Sequence, residues 1–180
     1  MIVLVFFITF IAITPSASSQ TFTLEGTIFE RAGLENSIDP LLLYSIALNV
    51  SSKYAGKGQV KPSAYAIRST KLTRHFENQK SAEQALSRLL QETDWIDIGL
   101  MQISLHYHPQ KDPLRLLDPY ENLSTAAIFL RKKLDSTPDP ILGVGRYFSS
   151  NKKEAQRQGY KIWVIYSQLQ ELIFEQGLRK

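Results

Sequence analysis

Asp39-Pro40 opens a stretch that is apolar on nearly every side: Leu41, Leu42, Leu43, Tyr44, Ile46, Ala47, Leu48 and Val50. Asp accepts a backbone N–H at an N-cap, and Pro suits the first helical turn because its φ is already set. A helix with no polar face has to be enclosed by other elements. The rest of the chain must therefore be built around a helix running from Pro40 to Tyr54. At 180 residues, 43% hydrophobic and 21% charged, the chain is long enough to enclose it in one domain. It contains no cysteine, which excludes disulfides, thiolate catalysis and cysteine zinc sites.

The other segments are also mostly helical in pattern. Thr27 to Glu35 reads as a short first helix. Ser81-Ala82-Glu83-Gln84 has the form of a capping box, followed by an apolar face of Ala82, Ala85, Leu86, Leu89 and Leu90. Asn122 or Ser124 opens a further helix with Leu123, Ala126, Ala127, Leu130 and Leu134 inward. Pro138 and Pro140 precede a short apolar helix from Ile141 to Phe148. Ile162, Ile165, Tyr166, Leu169, Leu172 and Ile173 mark the last helix, which Gly177 is expected to end. Between them, Lys61 to Thr70 reads as irregular or a small hairpin. Trp95 to Ser104 reads as a short strand or a buried turn. The expected fold is mainly α, with a few residues of strand at most.

At the start, Ile2 to Ile13 is a short apolar run followed by the small, polar Thr14-Pro15-Ser16-Ala17-Ser18-Ser19-Gln20. A membrane span needs about 20 apolar residues. Residues 1–19 are therefore expected to be a secretory signal cleaved after Ala17 or Ser19, with an uncleaved anchor as the alternative. The expected location is exported and periplasmic, with 20–180 as the working domain. The formal charge of +4 belongs to that domain and suits work beside an anionic polymer. No dense basic run or stacking-aromatic motif points to nucleic acid. Neither a Gly-rich phosphate loop nor a serine elbow is present, and no cofactor is implied.

Between Asp39 and Glu77 there is no carboxylate at all. The gap contains Ala47-Leu48-Asn49-Val50-Ser51 and is followed by Gly99-Leu100-Met101-Gln102, Asp118-Pro119 with Asn122, and Gly145-Arg146-Tyr147. In that order these motifs, from about Thr27 to Leu169, resemble the lytic transglycosylases, a family that cleaves the glycan strands of peptidoglycan. The resemblance implies a lysozyme-like single domain. It also implies one glutamate that protonates the glycosidic oxygen from an apolar setting, giving a 1,6-anhydro sugar. The family's central helix reads alanine, leucine, any residue, glutamate, serine, and here the glutamate position is Val50. Valine can neither donate nor accept a proton.

The nearest candidates for a substitute acid are Glu92, Asp94 and Asp97, of which Asp97 directly precedes the Ile98 to Gln102 segment; the alternative is that Asp97 caps a turn and Glu92 and Asp94 are solvated helix-end charges. By resemblance, Gly99 allows close approach, Met101 offers an apolar sugar platform, and Gln102 bonds an acetamido group. The resemblance also implies that Tyr147 faces the acid position from across the cleft, and Tyr160 matches a later family tyrosine. Asn122 and Asp118-Pro119 are expected to be structural. His106 and His108 alternate like ligands on a strand, but no third ligand stands at metal-site spacing, so no metal is expected.

Two functions follow. One is a peptidoglycan-directed transglycosylase using a relocated acid. The other is a non-catalytic glycan-binding or scaffold protein. The variants Asp97 to Gln102 and Val144 to Tyr147 look most like transglycosylase-like proteins of conjugation and secretion systems, which makes components of such an apparatus the expected protein partners.

Overall fold

The computed structural model describes residues 22–178, except 57 and 72; the expected signal segment lies outside them. Six α-helices are present among the described residues: α1 (Ile28–Glu35), α2 (Pro40–Ser51), α3 (Gln79–Leu89), α4 (Pro119–Asp135), α5 (Pro140–Gly145) and α6 (Lys152–Leu178). Six short strands accompany them: β1 (Ser52–Gly56), β2 (Gln59–Pro62), β3 (Ala66–Ser69), β4 (Thr73–His75), β5 (Ile96–Ile98) and β6 (Ile103–Ser104). The molecule is thus mainly helical. The strand content exceeds the sequence expectation, because strands of two to five residues are too short to show a period. None of these helices is long and apolar enough to cross a membrane.

Four Asp-Pro pairs start helical segments. Asp39, Asp118 and Asp139 cap α2, α4 and α5, and Asp112 caps a 3-10 turn at Pro113–Leu117. Each side chain accepts an orphan backbone N–H and each Pro occupies the first turn, where its missing N–H costs nothing. This moves the start of α4 to Pro119, since Asp118 accepts from both Tyr120 and Glu121. It likewise moves the start of α3: Asn78, extended at φ −149°, accepts from Ser81, so Ser81 lies inside the helix and is not its cap.

The Pro40 helix is central as its composition requires, and packs against α1, α6 and β2. Leu43, Ile46 and Ala47 are completely buried. It stops at Ser51, three residues before the expected Tyr54, because Ser52 turns to an extended backbone and begins β1. Leu130 is buried as expected and Leu100 is buried too, whereas Ile165 is only partly covered. Gly177 lies within α6 and does not end it.

β1 and β2 form an antiparallel hairpin. The second sheet, in the order β4-β3-β5-β6, positions the site. Its register places Ile67 beside Ile98 and Ile98 beside Ile103, all three buried. One residue away, Arg68 pairs with Asp97 and Asp97 with Ser104. Alternate side chains on a strand point to opposite faces. The isoleucine row therefore enters the core and the polar row faces outward.

Candidate functional site

The outward row is one wall of a cleft of about 460 Å³, within the range of small-ligand sites. Val50, at the end of α2, lines it with Arg68, Asp97 and Ser104. Gln102, Ile103, Tyr107 and His108 continue that wall. Lys133 of α4 and Arg146 to Ser150, which follow α5, close the other side. Val50, Asp97 with Gln102, and Tyr147, from three separate stretches of the chain, thus meet in one place.

The end of α2 is pinned to the Gly99–Gln102 turn. Ser51 Oγ is buried, 2.7 Å from the carbonyl oxygen of Leu100 and 3.0 Å from that of Ala47, and donates to them. Gly99 has φ +78°, and a Cβ there would meet Asn122 Nδ2 at 2.3 Å. Glycine is required here for its left-handed backbone and for the close approach of Asn122. Asn122 is fully buried and spans the turn: Oδ1 accepts the Met101 N–H, while Nδ2 donates to the carbonyls of Ile98 and Leu116. Its expected structural role is thereby given a definite form.

Gln102 sits at φ +49°, uncommon for a residue with a side chain, and strain of this kind gathers at functional sites. Its Nε2 donates to the carbonyls of Ala66 and Gly99, at 3.0 and 2.9 Å. Both amide donors are thus used internally. Oε1 has no protein partner among the described residues, which leaves the side chain an acceptor for a ligand N–H. Opposite it, the Tyr147 hydroxyl donates to the Met101 carbonyl at 3.0 Å and joins the two walls. Burial, with a smaller contribution from the charge of Asp97, pushes the Tyr147 hydroxyl well above the ordinary tyrosine range, so it stays a proton donor.

Asp97 is the one carboxylate among the lining residues. Its Oδ2 accepts from Arg68 Nη2 at 2.8 Å and from Arg68 Nε at 2.9 Å. A proton-delivering acid needs an apolar setting; Asp97 has a guanidinium instead. Glu92 pairs with Lys71 and Asp94 with His106, and neither lines the cleft.

Several expected contacts fall elsewhere. Met101 is fully buried in the core and cannot serve as a sugar platform. Gly99 is behind the cleft, where its closeness serves Asn122. Tyr160 is exposed on α6 beside Lys152, Lys153 and Arg157, outside the cleft. The two alternate histidines diverge: His106 stacks on Trp95 with ring centres 3.6 Å apart, and His108 stacks on Phe129 at 4.1 Å. Burial and the nearby Lys133 lower the His108 pKa below its ordinary value, leaving it neutral at pH 7.

Sequence reading did not single out Arg68, Ser104, Tyr107 or Lys133. The Arg68–Asp97 pair depends on strand register across 29 residues, for which no local signal exists. No family model, curated protein or solved structure matches the chain.

Proposed function

We propose that this chain is a lytic-transglycosylase-like protein that holds a peptidoglycan glycan strand in its cleft without cutting it. The observation that carries the reading is the state of the cleft's acids. Val50 occupies the end of the buried helix where the resemblance expects glutamate, and the only lining carboxylate is bonded to Arg68. General acid–base help is typically worth about 10²–10⁴-fold, so its loss leaves little turnover. The binding parts remain: an open acceptor on Gln102, hydroxyls on Ser104, Tyr107, Ser149 and Ser150, and a cleft large enough for sugar rings. Under this reading the protein is exported, and it marks or grips the wall for an envelope-spanning conjugation or secretion apparatus.

The test is mass analysis of peptidoglycan after incubation with the protein, beside a sedimentation assay with intact sacculi. The native protein is expected to co-sediment and to release almost no anhydro-muropeptide. Val50→Glu is expected to gain measurable release, with stability lower by roughly 1–3 kcal/mol because a polar group enters a partly buried aliphatic site. Strong native release that survives Val50→Ala and disappears in Asp97→Asn would instead make Asp97 the acid and the protein an enzyme.

A further inference from the structure

The charge of the cleft is unbalanced. Arg68, Lys133 and Arg146 all line it, against the single carboxylate of Asp97, which is taken by Arg68. Neither Lys133 nor Arg146 has an acidic partner among the described residues. His108, in the wall with Gln102, adds no positive charge at pH 7.

Arg146 is anchored. Its Nη1 donates to the Ser136 carbonyl at 3.1 Å and to Ser136 Oγ at 2.9 Å. That leaves Nε and Nη2 without a protein partner among the described residues. An anchored guanidinium with free donors is suited to a planar, two-oxygen acceptor, because little freedom is lost on binding. Two uncompensated cations at one concave site repel each other, and the repulsion is relieved when an anion enters. A neutral sugar would leave it in place.

Resting on the reading of the cleft as a glycan site, we infer that Lys133 and Arg146 receive a carboxylate of the bound strand. The ligand class is an acidic glycan, whose carboxylate belongs either to a sugar substituent or to a short peptide attached to it. Gln102 Oε1 and the cleft hydroxyls hold the sugar, and the cationic side selects the acid.

The full chain is titrated calorimetrically with three oligosaccharides of equal length at low and at raised salt. One is built only of neutral N-acetylglucosamine. A second carries free muramic carboxylates without peptides, and the third carries the peptide stems. At least one acidic ligand is expected to bind roughly tenfold more tightly than the neutral one, the scale of one charge-assisted contact. Salt should shrink that ratio. The acidic ligand that shows the gain identifies the source of the carboxylate.

Lys133→Gln is the deciding variant, since Lys133 is exposed on α4 and substitution at an exposed site is expected to spare folding. It should bring the acidic-to-neutral ratio close to one, and Arg146→Lys should lower it part of the way. Equal binding of all three ligands, or an unchanged ratio in Lys133→Gln, overturns the inference and leaves the glycan reading standing. If no oligosaccharide binds, both are overturned.

Discussion

At the scale of single residues, the side chain that organises this site lies behind the cleft and does not line it. Asn122 is fully buried and satisfies one N–H and two carbonyls around the Gly99–Gln102 turn. Each buried group left unpaired costs about 1–3 kcal/mol. Asn122→Ala is therefore expected to lower stability by about 3 kcal/mol or more in a urea titration, and to weaken glycan binding through the loosened turn. Ser51→Ala removes one contact to the same turn and should cost only about 1–2 kcal/mol. Equal losses for the two variants would show that the turn is not held chiefly by Asn122. Val50 is the opposite case: it lines the cleft, half-buried, and under the proposed function what matters is the proton it cannot carry.

At the scale of elements, the wall bearing Arg146 and Tyr147 is positioned by two glycines. A Cβ on Gly145 of α5 would meet the Ala155 carbonyl oxygen at 1.7 Å, and one on Gly159 of α6 would meet that of Ile141 at 1.8 Å. Both are contacts with backbone, which cannot rotate aside as a side chain can. Gly159→Ala should then push α6 off α5 at a cost of about 3 kcal/mol. It should also lower glycan affinity, because Tyr147 and Arg146 follow directly from α5. Chemical denaturation and the same calorimetric titration check the two halves of this expectation. A variant as stable as the native protein would mean that α6 shifts freely, contrary to the packing described.

Across the whole molecule, the two ends of the fold are joined at the start of the central helix. Asp39 caps α2 through Oδ1, and its Oδ2 accepts the hydroxyl of Tyr166 from α6, 127 residues away. Burial, followed by the bond to Asp39, pushes the Tyr166 hydroxyl up to about 12 from its ordinary value of 10.0. The sign is that of a raised folded-state value. Its contribution is complete below pH 10 and is lost as pH rises through about 12. Other tyrosines, including Tyr44 and Tyr147, are raised as well, so the readout is the difference between native protein and Tyr166→Phe. Urea midpoints should differ between the two below pH 10 and converge as the pH approaches 12. A difference that stays constant across that window would remove the Asp39 link from the account.

Much of this architecture is legible in the chain alone. The buried Pro40 helix and its Asp39 cap depend on neighbours within a few residues, since helical hydrogen bonds run from i to i−4 and caps act over two or three positions. The absence of a carboxylate from 40 to 76 is likewise a property of sequence, so α2 itself cannot carry one. Tertiary structure alone decided that Arg68 takes Asp97, that Met101 turns into the core, and that Tyr160 stays out on the surface. It also decided that Gln102 spends both amide donors on backbone and that Lys133 and Arg146 share a cleft. These outcomes depend on strand register and on helices meeting across long stretches of chain. Contacts of that kind follow from which surfaces pack together, and local periodicity carries no record of them.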